Sequence, residues 1–205
     1  MKKIITIGRQ FGSGGREVGQ KIAQTLHIAY YDKELLAVAA KKSGLSSQFM
    51  NTYDEKPTRS FLYSLVMGQR GLFTDSAEAT VEQLAANAQR DAILAVAGEG
   101  SCVIVGRCAD HVLAGTERLV RIFIYADMEA RIQRIREKGY YEEHEIARNI
   151  RRMDRERRDY HRYYTGKEWE NVENYDMMLN SGVLGTDGCV ECILSYLKIR
   201  GLYPA

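Results

Sequence analysis

Short runs of β-branched and apolar residues alternate with longer segments whose apolar positions recur at helical spacing, the pattern of an α/β chain built on a parallel sheet. Ile4 to Ile7 is a strand-like run that stops at Gly8. After a glycine-rich turn, Val18, Ile22, Ala23 and Leu26 share one helix face, and Ile28 to Tyr31 reads as a second strand closing on Asp32. Cys102 to Val105, stopped by Gly106, predicts a third strand, Leu119 to Tyr125 a fourth and Met177 to Asn180 a fifth. Asp127 stands where it would cap the helix after strand four, and Cys189 to Leu197 predicts a last helix over one face of the sheet. Between strands two and three, Lys33 to Gly98 reads as a mainly helical insertion. Breaks fall near Ser43-Gly44, at Lys56-Pro57 and around Gly68 to Asp75, and the insertion's last helix runs from Ser76 to Ala97.

The 205 residues are 45% hydrophobic and 27% charged with 2 Pro, enough for a single core that needs neither disulfides nor a structural metal. A net charge of +2 excludes a general nucleic-acid coat, so any basic site is local. No apolar run reaches the roughly 18 residues of a spanning helix, and the start breaks into Gly8 and charge too soon for a signal peptide, so a cytoplasmic protein is expected. Cys102, Cys108, Cys189 and Cys192 lack zinc-site spacing and read as reduced, structural thiols.

Gly8-Arg9-Gln10-Phe11-Gly12-Ser13-Gly14-Gly15-Arg16-Glu17 joins the first strand to the first helix. Glycines let backbone N–H groups converge without Cβ clashes, and the next helix adds its unpaired N–H groups and positive end, so Gly12 to Glu17 is a candidate anion cradle. Against the pattern G-x-x-x-x-G-K-[ST], Gln10 stands for the first glycine, Arg16 for the lysine and Glu17 for the hydroxyl residue. Arg16 brings a planar fork in place of a point charge. Glu17 either reaches metal through water or caps the helix. Two rival readings stay open: a turn that serves packing alone, and a dinucleotide fingerprint begun by Gly12-x-Gly14 with Asp32 as ribose contact, although Glu17 fills its third glycine.

Ten arginines fall between Arg131 and Arg162. On a helix, Ile146, Ile150, Met153, Arg157, Tyr160 and Tyr164 share a stripe, so Arg157 interrupts an apolar face. Arg148, Arg151 or Arg152, Arg155, Arg158 and Arg162 form a second stripe. Such a ridge repels itself unless it meets a polyanion or pairs with Glu145, Asp154, Glu156 and Asp159. Arg131 and Arg134, one turn apart and opposite Met128, Ile132 and Ile135, favour the polyanion: two arginine helices in succession are able to close over a triphosphate. The local acids argue against a nucleic-acid arm. His27, His111, His144 and His161 show no metal or triad spacing and read as surface or core-edge residues.

Together, Ile4-Thr6-Ile7 with Arg9 to Glu17, Tyr31-Asp32, Val105-Gly106-Arg107-x-Ala109-Asp110, the Phe123 to Arg134 unit, and Asp154-Arg155-x-Arg157 running to Tyr175-Asp176 and Asn180-Ser181 resemble the cytidylate kinase-like branch of the nucleoside monophosphate kinases. The likeness spans the chain except about Leu45 to Asp75. It implies one P-loop kinase domain over residues 1–205: a five-stranded parallel sheet flanked by helices, a helical acceptor-side insertion at about 45–98 and an arginine-rich lid at about 140–170. It also implies ATP and Mg²⁺, with transfer of the γ-phosphate to a nucleoside monophosphate, CMP or dCMP foremost. Carried over by position, Gly12, Ser13, Gly14, Gly15, Arg16 and Glu17 hold donor phosphates, and Arg16, Arg155 and Arg157 are catalytic. Asp32, Arg107 and Asp110 face the acceptor, while Arg131, Arg134, Arg151 and Arg158 belong to the lid. No residue is assigned to a metal. The family's strand-three motif is Gly-Arg-Asp, whereas here Cys108 follows Arg107 and Asp110 comes two positions later. Phosphoryl transfer needs positioning and charge stabilisation more than covalent chemistry, so the lack of a nucleophilic triad is no obstacle. The implied partners are small nucleotides, with neither nucleic acid nor membrane. The alternative is a catalytically weak nucleotide-binding or regulatory protein on the same fold.

Overall fold

The computed structural model describes residues 2–32 and 81–204. The chain divides into two compact units, residues 1–32 with 99–205, and residues 33–98. Of the second unit the described part is helix α2 (Val81–Glu99, whose last residue falls in the first unit), with Ala92, Ile93, Val96 and Ala97 buried. The expected breaks within the insertion, and the start of its last helix at Ser76, lie outside the described residues.

In the first unit the order is β1 (Ile4–Arg9), α1 (Gly15–Leu26), β2 (Ala29–Tyr31), β3 (Cys102–Val105), α3 (Ala109–Val112), β4 (Leu119–Tyr125), α4 (Met128–Glu137), α5 (Ile146–Thr165), β5 (Met177–Asn180) and α6 (Ser181–Ile199). Among the described residues, five strands form one parallel sheet in the order β2-β3-β1-β4-β5. The period of two sorts the side chains. Ile5, Ile7, Val103, Val105, Val120, Ile122 and Ile124 face Val18 and Ile22 of α1 and Cys189, Ile193 and Leu197 of α6. Phe123 points the other way, onto Trp169 and Tyr175. Asp176, just before β5, accepts Arg121's guanidinium at 2.7 Å and its backbone N–H at 2.8 Å, which registers β4 against the last strand.

The last three strands have the bounds that the apolar runs give, because strands buried on both faces leave little ambiguity. Three local expectations are corrected. Helix α6 starts at Ser181, eight residues before Cys189; Asn180 Oδ1 caps it by accepting from Gly182 N at 2.9 Å, and glycines as far as the kink at Gly185 (φ 67°) hide its apolar period. Asp127 is the N-cap of α4, but its side chain makes no capping bond. The buried residues of α5 are Ile146, Ile150, Asp154 and His161, so its inward face runs through Asp154, and His161 is a core residue. All four cysteines are free; burial pushes the thiols of Cys102 and Cys189 up to about 11 and that of Cys108 to about 12, as inert packing groups require.

Candidate functional site

The segment from Arg9 to Gly14 leaves β1 at the carboxyl end of the sheet, where open parallel sheets bind ligands. Gly12 and Gly14 both take left-handed backbone (φ 80° and 78°), which turns the chain twice without a Cβ penalty. Its carbonyls are occupied from outside. Arg157 Nη1 donates to Arg9 O at 3.0 Å, Arg131 Nη1 to Phe11 O at 3.5 Å and Arg134 Nη1 to Gly12 O at 3.0 Å. Ser13 Oγ donates to Gln10 O at 2.9 Å, and Ser181 Oγ donates to Ser13 O. With the carbonyls engaged, the N–H groups of Gly12, Gly14 and Gly15 make no hydrogen bond among the described residues, and α1 adds its positive end behind them. This is a candidate anion cradle.

Gln10, which stands for the first glycine of the usual pattern, ties the loop to the fold through its side chain. Nε2 donates to Glu170 Oε1 at 2.9 Å and Oε1 accepts from Ala126 N at 3.2 Å. Phe11 N donates to Asp154 Oδ1 at 2.7 Å, and the other oxygen of Asp154 takes the buried Arg131. Arg131 and Arg134 therefore hold the loop in shape. Arg131 shares the buried side of α4 with Ile135 and does not stand opposite it, which corrects the helical-wheel expectation.

Beside the cradle, several guanidinium groups gather at the carboxyl ends of β1, β2 and β3. Arg16 Nε lies 2.9 Å from Asp32 Oδ2, and Arg9 Nη2 lies 3.9 Å from Asp32 Oδ1. Burial, then the charge of Asp32, pushes the neighbouring Tyr30 phenol up to about 12. Arg107 follows Gly106 in a run of three left-handed residues, Gly106, Arg107 and Cys108 (φ 76°, 62° and 52°). Left-handed backbone costs a non-glycine residue about 1–2 kcal/mol, so strain is stored where the chain leaves β3. Arg157 packs over the Phe11 ring at 5.5 Å. Burial, then the like charge of Arg9, pulls Arg157 down to about 9 despite the opposing pull of Asp154 and Asp32, and Arg107 acts in the same direction as Arg9. Arg9 itself is lowered by burial, with Arg107 and Arg16 adding to the shift and Asp32 opposing it.

The structure thus brings Arg16, Asp32, Arg107 and Arg157 into one neighbourhood next to Gly12 to Gly15. Of the other expected residues, Arg131 and Arg134 bond the loop itself, whereas Asp110, Arg158, Arg151 and Arg155 have other surroundings. Asp110 Oδ2 faces His161 Nε2 at 3.5 Å. Arg158 pairs with Glu170 at 3.2 Å, the acid that also holds Gln10. Arg151 and Arg155 are exposed on α5. Arg9 and Gln10 are members of the candidate site that pattern matching passes over, because the motif expects neither residue type there.

Magnesium is the remaining expectation, and the residues present do not fit the usual P-loop metal site. Glu17, in the hydroxyl position, accepts from Thr186 Oγ1 at 2.8 Å and pairs with Lys21 at 3.0 Å; these hydrogen bonds hold its carboxyl below the ordinary range although burial alone would raise it. The Ser13 hydroxyl is committed to Gln10 O, and no group of three His, Cys, Asp or Glu among the described residues could hold a metal.

A five-stranded all-parallel sheet flanked by helices, with a glycine-rich loop after β1, has the P-loop kinase fold. The sequence model of the cytidylate kinase-like family matches residues 4–183, and the chain belongs to that family. A crystal structure of an uncharacterized protein from Eubacterium ventriosum is 27% identical over 96% of this chain and 99% of its own, with a TM-score of 0.72. Shikimate kinase from Bacteroides thetaiotaomicron (12% identity, 97% and 99% covered, TM-score 0.56) shares the fold. So does shikimate kinase from Acinetobacter baumannii in complex with shikimate (14%, 98% and 96%, 0.52). No curated protein matches the sequence significantly. No helix among the described residues is long and apolar enough to cross a membrane. Family and fold together place the chain among kinases of nucleotide-related phosphoryl transfer.

Proposed function

We propose that the protein transfers the γ-phosphate of ATP to a nucleoside monophosphate, CMP or dCMP foremost. One observation carries the reading: unbonded N–H groups at Gly12, Gly14 and Gly15 adjoin a group of arginines around a single buried carboxylate, Asp32. The N–H cradle suits the donor's phosphates. Fixed guanidinium groups suit the charge on the oxygens of a loose phosphoryl-transfer transition state, which needs positioned cations more than a nucleophile. The choice of a pyrimidine acceptor rests on the family likeness around Gly106-Arg107 and Tyr31-Asp32. Magnesium would reach the site on the nucleotide, since that ion keeps most of its waters and binds largely through phosphate oxygens. Assay of a panel of nucleoside monophosphates with ATP and Mg²⁺, scored by ADP release, tests the proposal. Acceptor-dependent release with CMP or dCMP ahead supports it, and no release above background with any acceptor refutes it.

A second reading has its own observation. Arg16 turns to Asp32 and Glu17 to Thr186 and Lys21, so the two altered loop positions are occupied by protein contacts. A nucleotide-binding regulatory protein would show saturable ATP binding without turnover.

Two substitutions locate the parts. Arg107→Ala should raise the acceptor's KM at least tenfold and leave that of ATP within about twofold, because Arg107 stands at the end of β3 beyond the donor loop. Equal changes for both substrates would move the acceptor site elsewhere. Arg157 has no carboxylate partner among the described residues, and its contacts are Arg9 O and the Phe11 ring. Arg157→Met keeps length and packing, so turnover should fall by about tenfold or more with Tm nearly unchanged. Full activity with a clearly lowered Tm would make Arg157 a structural residue.

A further inference from the structure

Arg9, the last residue of β1, occupies a slot opened by two glycines. A Cβ on Gly15 would stand 2.5 Å from Arg9 Cβ, and one on Gly106 would stand 2.2 Å from Arg9 Nη1. The stem of Arg9 therefore crosses the start of α1 and its head lies against the Gly106 backbone, so both ends of the side chain are fixed by close approach. Its polar contacts are sparse. The side chain is 19% exposed, yet among the described residues the guanidinium makes no hydrogen bond, and its ion contact there is the 3.9 Å approach to Asp32. Asp32 gives its shorter contact, 2.9 Å, to Arg16.

Arg157 crowds the same place. It binds the backbone of Arg9 through one nitrogen at 3.0 Å, and it makes no ion pair among the described residues. The nearby Asp154 is taken by Arg131. Two desolvated guanidinium groups with most of their donors unused repel each other in a medium of reduced dielectric. Such an arrangement lowers the stability of the empty protein and is relieved by a bound anion with several acceptor oxygens. A purely structural arginine at the end of a strand would carry hydrogen bonds to carbonyls or a close carboxylate. Arg9 has neither.

We propose that Arg9 is a phosphate-binding residue, forming with Arg157 a guanidinium clamp for a phosphate dianion at the carboxyl end of β1. Arg107, whose charge bears on both arginines, lies at its side. The clamp deepens the phosphoryl-transfer reading and rests on it for the ligand's identity, the phosphate on the acceptor side of the cradle. It also accounts for the altered loop: with Glu17 in place of the usual metal-holding hydroxyl residue, cationic side chains would neutralise the phosphates, so an anion should bind without divalent ions.

Calorimetric titration of the full chain with inorganic pyrophosphate in the presence of EDTA tests this. The wild-type protein should bind, Arg9→Met should weaken binding at least tenfold, and Arg9→Lys, which keeps the charge but loses the fork, should fall between. Arg148→Met, an exposed change on α5, should bind as wild type. Absence of binding by the wild-type protein at millimolar pyrophosphate overturns the clamp, as does unchanged affinity in a folded Arg9→Met or Arg9→Lys protein. The outcome separates from that of the parent reading. Arg9-dependent pyrophosphate binding with no ADP release from any monophosphate would refute the kinase and keep the clamp, whereas turnover with Arg9-independent binding would do the reverse.

Discussion

Arg16→Ala should lower turnover by roughly 10²–10³ while leaving the protein folded, the usual cost of removing one fixed donor from developing charge. Arg16 lies in the first turn of α1, one residue beyond Gly15, where the family's loop carries lysine. Its side chain is 51% exposed, and its Nε lies 2.9 Å from Asp32 Oδ2. Asp32 on the other side of the pair is buried, so loss of its 2.9 Å partner should also lower the unfolding midpoint in urea, a readout separate from turnover. The kinetic signature is a fall in kcat larger than any rise in the KM of ATP, as expected for an interaction made in the transition state. Near-wild-type turnover in a folded Arg16→Ala protein would remove Arg16 from the chemistry.

The largest loss of stability should follow Asp154→Ala. Asp154 is buried on α5 and satisfies two donors at once, Phe11 N in the loop and Arg131 on α4. Its removal strands a buried guanidinium whose Nε already lacks a partner, together with a backbone N–H. Breaking a buried pair from one side costs about 3–5 kcal/mol, measurable in urea unfolding. Asp154→Asn retains an acceptor and should lose less. Glu143→Gln, which breaks the exposed pair with Arg136, should leave stability unchanged within error and serves as the control. A loss after Asp154→Ala no larger than that of the control would show that the pair does not hold the loop.

The core strands were legible because burial on both faces leaves an uninterrupted apolar run, as in Cys102 to Val105 and Leu119 to Tyr125. The loop between β1 and α1 was legible for a different reason, since glycine at those spacings has few other uses. What the sequence hid is tertiary. Asp154 and His161 look like solvated helix residues until α5 docks, although Ile146, Ile150 and Asp154 at strict intervals of four offered a signal that the apolar-only stripe overrode. The carbonyl contacts of Arg131, Arg134 and Arg157 depend on where three elements meet, which no local pattern encodes. Arg9 was masked by its own position, because the motif reserves that place for no particular side chain. The two glycines that make room for it, Gly15 and Gly106, are 91 residues apart.

The outward-facing carbonyls of the loop bear on the entropy of binding. A flexible glycine-rich segment that orders around its ligand loses about 1–2 kcal/mol of backbone freedom per residue at the moment of association. Here Arg9, Phe11, Gly12 and Ser13 are already tied by hydrogen bonds to α4, α5 and α6 before any anion arrives. That ordering belongs to folding, and association of a phosphate is left with its desolvation and its own lost motion.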